Sequence, residues 1–397
     1  MAMRSTVPGA LIGVLAASSL LLGCTSGADQ APSPGPASTV SMAAGPVPNL
    51  GPPPAAPPPP AAPVCGDPAA MNTRDKLAQL LMVGVTGAAD ARAVVENQHV
   101  GGIMIGSWTN LSMLPGGLAD IAATAGPLRL AVSVDEEGGR VSRLAGLIGS
   151  QPSPRALAQT STPEQVRQIA FDRGNQMRAL GVTIDFAPVV DVTSDADGVI
   201  GDRSFGSDPT TVTDFAGAYA QGLRDAGVLP VLKHFPGHGH GSGDSHAGSV
   251  VTPPLDQLKA DDLVPYRTLT PQAPVAVMVG HMQVPGLTGS EPASLSPAAY
   301  ALLRSGDYGG PPFNGPIFTD DLSSMRAVSD RFGVADAVLR ALQAGADVAL
   351  WVTTAEVPAV LDRLEQAVAA GELSMAGVDA SVQRMAAMKG PSPSCGG

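Results

Sequence analysis

The stretch Leu229-Pro230-Val231-Leu232-Lys233-His234 is an apolar run that ends abruptly in a cation and an imidazole. It lacks the in/out alternation of a half-solvated strand, as expected for a parallel strand covered on both faces. Comparable runs flank it at residues 80–85, 101–105, 128–134 and 182–190 upstream, and at 275–279, 316–318 and 348–352 downstream. Polar residues follow several of these runs: Asp135 the third, Asp191 the fourth, His281 the sixth and Asp320-Asp321 the seventh. Between the runs lie segments of helical spacing, at 163–180, 212–226, 255–269, 334–344 and 357–370. Strands alternating with helices predict an α/β fold, and eight such units predict a single (β/α)8 TIM-like barrel. In that fold catalytic groups stand at the C-terminal ends of strands, where these polar residues fall. A doubly wound sheet is the rival, but no Gly-x-Gly-x-x-Gly turn follows an early strand, so no dinucleotide site is expected.

The chain has 397 residues, and with 44% hydrophobic residues it can bury a sizeable core. Its net charge is -12 and only four of its 23 basic residues are Lys, so no basic stripe is available for a nucleic acid. Residues 1–23 read as a lipoprotein signal peptide: Arg4, an apolar stretch from Ala10 to Leu22, then Leu21-Leu22-Gly23-Cys24, which resembles a bacterial lipobox. Cys24 would then carry the lipid, and the chain would be exported and tethered to the outer face of the bacterial cell membrane. The apolar stretch is too short to span a bilayer, which takes roughly 20 residues. Residues 24–64, with Pro57-Pro58-Pro59-Pro60, read as a disordered, extended Pro/Ala-rich spacer. Residues 65–397 form the expected catalytic barrel. Cys65 and Cys395 stand at its two ends, in a compartment that permits disulfides, and are expected to pair.

Four of the six histidines, His234, His238, His240 and His246, fall within the thirteen residues from His234 to His246. A zinc site is one reading, but the segment is rich in Gly and has no regular i, i+4 ligand pair. Acid–base chemistry on a mobile loop is the other: Asp244 orients His246, and a protonated imidazole can donate to a leaving group. Gly237, Gly239, Gly241 and Gly243 would let such a loop close over a substrate. At the seventh run only one of Asp320 and Asp321 can face the barrel axis. Asp320 suits nucleophilic attack on an anomeric carbon, whereas Asp321 suits a helix N-cap. Asp135, Arg143, Arg203, Lys233, His234 and His281 add donors and an acid suited to sugar hydroxyls.

These motifs resemble those of the glycoside hydrolase family 3 β-N-acetylglucosaminidases, over about Lys76 to Ala387. The strongest element is Lys233-His234-Phe235-Pro236-Gly237-His238-Gly239 followed by Asp244-Ser245-His246. Further matches are Val134-Asp135-Glu136-Glu137-Gly138-Gly139-Arg140-Val141, Asp185-Phe186-Ala187-Pro188-Val189-Val190-Asp191, Ile200-Gly201-Asp202-Arg203-Ser204-Phe205-Gly206 and Phe318-Thr319-Asp320-Asp321-Leu322. The resemblance implies Asp320 as nucleophile, His246 as general acid and then base, and Asp244 as its partner. It also implies that Asp135, Arg143, Arg203, Lys233 and His234 hold a terminal N-acetylglucosamine, with no cofactor and no metal. Three features depart from the pattern: Glu136 stands where Gln is usual, Gly280 precedes His281, and no Pro follows His246 closely.

The implied reaction is retaining removal of terminal β-linked N-acetylglucosamine through a covalent glycosyl-Asp320 intermediate. For an exported lipoprotein the expected substrates are peptidoglycan fragments, N-acetylglucosamine linked to N-acetylmuramic acid, in cell-wall turnover and recycling. Expected partners are these sugars and, through the lipid anchor, the membrane, with the chain itself a monomer. A neutral His246 repels an anion less than a Glu would, so phosphate is expected to compete with water for the intermediate. The alternatives are a zinc-dependent hydrolase built on the histidine cluster and a non-catalytic muropeptide-binding lipoprotein. A β-glucosidase is disfavoured by the Asp-His dyad and by the lack of a second domain after Ala387.

Overall fold

The computed structural model describes residues 67–390. The expected signal peptide with Cys24, the Pro-rich spacer and the expected Cys65–Cys395 pair lie outside the described residues. Within them each apolar run yields one strand: β1 (Leu81–Val85), β2 (Gly102–Ile105), β3 (Ala131–Val134), β4 (Ile184–Asp185), β5 (Leu229–Phe235), β6 (Ala276–Val279), β7 (Ile317–Asp321) and β8 (Val348–Trp351). They follow one another around a closed barrel in chain order, every pairing parallel. Closure is made where Leu81 of β1 lies opposite Ala349 of β8. Helices cover the outside and side chains fill the inside, so all residues of the eight strands are buried except one, Asp320, which is partly exposed.

The differences from the expected boundaries have local causes. The fourth run is strand only at Ile184–Asp185, because Pro188 has no N–H to give a ladder; Val189 then makes a single bridge to Lys233. The fifth and seventh runs extend further than their apolar residues, so Lys233, His234 and Asp320 belong to the ends of strands rather than to loops. The segment at 255–269 is two short helices, Leu255–Ala260 and Val264–Leu269, not one. Pro265 cannot donate to the carbonyl four residues back and its ring would clash there, which breaks the helix at Asp261.

The long helices begin where the sequence supplies caps. The helix α1 (Pro163–Ala179) starts in a capping box made by Thr162 and Gln165. The helix α2 (Pro209–Asp225) starts three residues before the expected point, because the Asp208 side chain accepts the Thr211 N–H and Pro209 suits the first turn. These two helices pack side by side, and a Cβ on Gly222 would lie 2.2 Å from the Arg167 carbonyl oxygen. Any larger residue there would push α1 off α2.

Candidate active site

The carboxylate that escapes complete burial stands at the C-terminal end of β7. Burial alone would raise the pKa of Asp320, but His281, His234, the Asp321 N–H and Lys233 together hold it down at about 2. It is therefore an anion at neutral pH. Its neighbour Asp321 is engaged elsewhere, since its two oxygens accept the N–H groups of Ser323 and Ser324 at 2.8 and 3.1 Å and close the turn after the strand. This is turn closure rather than the helix N-cap expected from the sequence, but it leaves Asp320 as the available carboxylate.

Facing Asp320 around the barrel mouth is a network of four charges. Lys233 Nζ lies 2.6 Å from both Asp135 Oδ1 and Glu137 Oε1. Arg203 clasps Glu137 with two bonds of 2.7 and 2.8 Å. Burial pulls Lys233 down, yet the Asp135 and Glu137 carboxylates hold it above the usual ammonium range; Arg203 and Lys233 hold the buried Glu137 well below the usual carboxylate range. His234, next along β5, has its Nδ1 2.7 Å from Asp191 Oδ2. The other Asp191 oxygen accepts the His238 N–H at 2.7 Å, tying the start of the histidine-rich loop to the strand end before it.

Arg143 reaches the same pocket from a hairpin of Glu136–Gly138 and Val141–Ser142. Its guanidinium is unpartnered among the described residues, and its backbone is fixed from below. The Glu136 carboxylate accepts the Arg143 and Leu144 N–H groups at 2.8 and 2.7 Å and is paired with Arg173 at 2.5 Å. The Glu that replaces the usual Gln is thus matched by a buried cation from α1.

The loop after β5 carries the dyad. His246 Nδ1 lies 2.8 Å from Asp244 Oδ1, which also accepts the His246 N–H at 2.9 Å, and these bonds hold Asp244 below its ordinary pKa against the raising effect of burial. The His246 side chain is 63% exposed. The loop's neck is closed by Ser242 N–H to the Val251 carbonyl at 2.9 Å, and its far side by Ala327 N–H to the Ser245 carbonyl at 3.1 Å.

The glycines divide into two kinds. A Cβ on Gly239 would lie 1.9 Å from Val192 O, one on Gly237 2.5 Å from Asp262 Cβ, and one on Gly241 2.8 Å from Val250. These three serve close packing, not the mobility expected of them. Gly243 and Gly248 meet nothing within 4 Å, and they bracket the dyad. Freedom to move is therefore concentrated at the loop's tip.

Asp135, Arg143, Arg203, Lys233, His234, His246 and Asp320 line one pocket of about 160 Å³, with Asp244 behind His246. The eight residues implied by the family resemblance are thus brought together, while His281 lies outside this lining. The four clustered histidines do not, among the described residues, bring their ligand atoms close enough together for one ion. His234 faces Asp191, His246 faces Asp244, and His240 turns away to Asp262 at 3.0 Å. Among the described residues the group with ligand atoms close enough for an ion is His240, Asp261 and Asp262, away from Asp320.

The model of the family described as glycosyl hydrolase family 3, N-terminal domain, matches residues 72–388. The chain belongs to glycosyl hydrolase family 3. Within this family it is similar to beta-hexosaminidase LpqI of Mycobacterium tuberculosis, 67% identical over 392 residues, which are 98% of this chain and 99% of that protein. A crystal structure of a family 3 glycosyl hydrolase from Mycobacterium smegmatis is 77% identical with a TM-score of 0.81, covering 82% of this chain and 99% of that one. A family 3 beta-N-acetylglucosaminidase from Paenibacillus is 33% identical with a TM-score of 0.75, covering 80% of this chain and 62% of that one.

Two further residues, Glu137 and Asp191, support this arrangement although the sequence did not assign them to the site. Glu137 and Asp191 are fully enclosed and hold Lys233 and His234 in place. His281, expected from the sequence among the sugar-facing donors, is held between the Ser294 hydroxyl at 2.6 Å and the Asp321 carbonyl at 2.8 Å, close enough to Asp320 to lower its pKa. Glu137 lies inside a quoted motif and Asp191 follows a strand, so position signalled both; their partners did not show.

Proposed function

We propose that this glycoside hydrolase is a retaining exo-β-N-acetylglucosaminidase that trims terminal N-acetylglucosamine from peptidoglycan fragments outside the cell membrane. The observation that carries the reading is the shared pocket: an ionised Asp320 and a His246 oriented by Asp244 line the same small recess. Its volume of about 160 Å³ suits one sugar ring rather than a polymer groove. With Nδ1 toward Asp244, His246 has Nε2 left to serve the substrate.

The chemistry follows from these positions. His246, protonated, gives its Nε2 proton to the glycosidic oxygen while Asp320 attacks the anomeric carbon, and the aglycone leaves as an alcohol. The neutral imidazole then takes a proton from water, whose oxygen displaces Asp320 and restores the original configuration. Because His246 is mostly exposed, the dyad reaches the sugar by a closing movement at Gly243 and Gly248. Asp135, Lys233, His234, Arg203 and Arg143 supply the donors and acceptors for the ring hydroxyls and the N-acetyl group. The sequence Leu21-Leu22-Gly23-Cys24 supports export and lipid attachment.

The test is hydrolysis of a chromogenic β-N-acetylglucosaminide and the matching β-glucoside by wild type and Asp320→Ala, with and without chelator. Chelator-resistant release from the N-acetyl sugar alone, abolished in the variant, is expected. Unchanged turnover by Asp320→Ala would overturn the mechanism, and loss with chelator would favour a zinc hydrolase. Release of N-acetylglucosamine from its disaccharide with N-acetylmuramic acid tests the substrate. Release of the Cys24→Ala chain into the medium tests the anchor.

A further inference from the structure

The larger cavity of this barrel is not the catalytic one. About 560 Å³ opens at the opposite end, among the N-terminal ends of β3 to β7, against about 160 Å³ at the mouth. Its lining includes five cations, Arg129, Arg178, Arg224, Arg384 and Lys389, and no acidic residue. The chain has only 23 basic residues and a net charge of -12, so this grouping is not a by-product of a basic surface.

Among the described residues, contacts leave part of the charge of Arg178, Arg224 and Lys389 without an anionic hydrogen-bond partner. Arg384 is neutralised, since it pairs with Asp347 at 2.8 Å. Arg224 donates only to neutral groups, Gln221 Oε1 at 2.7 Å and Gln272 Oε1 at 3.3 Å, and its acidic neighbour Asp225 is already bonded by Arg167 at 2.9 Å. Lys389, in the last turn of Met375–Lys389, donates to Gln79 Oε1 at 2.7 Å and the Gly101 carbonyl at 2.9 Å, again both neutral. The Arg178 side chain has no hydrogen-bond or ion-pair partner among the described residues. Burial without an anionic partner pushes the Lys389 ammonium down to about 7, so a ligand anion would relieve a real cost.

A plainer account exists and falls short. Arg178, Arg224 and Lys389 each lie in the last turn of a helix, where a cation complements the dipole. Yet none of the three donates to a carbonyl of its own helix, and the dipole does not explain why they surround one open space. The deeper wall, with Leu130, Ile184 and Val275, is apolar.

We propose that the foot of the barrel is a binding site for a small phosphate- or carboxylate-bearing molecule, separate from the catalytic pocket. Arg178, Arg224 and Lys389 contact the anionic group, and the apolar strand ends face the remainder of the ligand.

Thermal unfolding of the full chain, titrated with inorganic phosphate and separately with citrate at constant ionic strength, tests this. Two variants accompany wild type: Arg178→Gln/Arg224→Gln, which removes charge, and Ala387→Trp, which fills the cavity and keeps every cation. A saturable rise in Tm with one or both anions is expected, requiring at least tenfold more anion in both variants. Response to phosphate alone or citrate alone identifies the headgroup. An equal rise in wild type and variants, a rise matched by chloride, or no rise would overturn the site.

Discussion

Asp191 Oδ2 lies 2.7 Å from His234 Nδ1, while His234 Nε2 lies 3.5 Å from an Arg203 nitrogen. A fully buried carboxylate thus selects which nitrogen of a pocket imidazole is turned toward Arg203. The same Asp191 holds the His238 N–H at 2.7 Å, so one acid sets both the His234 imidazole and the root of the loop that carries Asp244 and His246. Asp191→Asn is expected to weaken substrate binding and turnover together, with kcat and KM both altered, where a purely structural role would move only the Tm.

The depressed pKa of Asp320, about 2, makes a prediction about pH. A group whose pKa is lowered stays ionised until the pH falls through that value. Covalent labelling by a fluorosugar with a fluoride leaving group needs the nucleophile but little acid assistance. Its rate should be flat from pH 8 down to pH 4, with mass spectrometry placing the label on Asp320. A rate that falls below pH 6 would show that the carboxylate titrates in the ordinary range or higher. Asp320→Asn should lower kcat/KM by on the order of 10⁴-fold.

Glu137→Gln removes the anion shared by Arg203 and Lys233 while keeping the side chain's shape. Breaking a buried pair from one side costs about 3 kcal/mol. Urea unfolding at neutral pH should show a loss of that size. Because Glu137 is held below the usual carboxylate range, its stabilising effect is present above that range and is lost only as the pH falls through the lowered value. The difference between wild type and variant should therefore persist at pH 5.

The two kinds of loop glycine can be separated by a pair of substitutions. Gly239→Ala forces a Cβ against Val192 O and should cost about 2 kcal/mol by overpacking. Gly243→Ala meets open space and should leave stability within about 0.5 kcal/mol, yet lower kcat by stiffening the segment that carries the dyad. An unchanged kcat in Gly243→Ala would place the closing movement elsewhere.

At high phosphate the glycosyl-Asp320 intermediate is expected to yield some glycosyl phosphate, since a neutral His246 does not repel the incoming anion. Phosphorus NMR of the products checks this. Hydrolysis alone at saturating phosphate would remove the idea.

The barrel was legible because its signal is local. An apolar run that stops at Lys233 or Asp320 marks both a strand and its functional end within a few residues, and Asp244 and His246 are adjacent enough for their pairing to be read directly. What stayed hidden depends on distant partners. Glu137 and Arg203 are 66 positions apart, and Asp191 and His234 are 43 apart. A buried acid and a solvated one look alike in sequence until the cation that permits burial is located. The loop glycines misled for a related reason: glycine marks close approach as often as freedom, and Val192, against which Gly239 packs, lies in another segment.

The quartet of Asp135, Glu137, Lys233 and Arg203 carries two negative and two positive charges. Neutralising any single member would leave a net charge in this largely enclosed space, and only a second change of opposite sign would restore the balance. Inheritance would therefore treat the four as a unit. A change of sugar specificity is expected at the rim of the pocket or in the loop above it rather than at any one of these four positions alone.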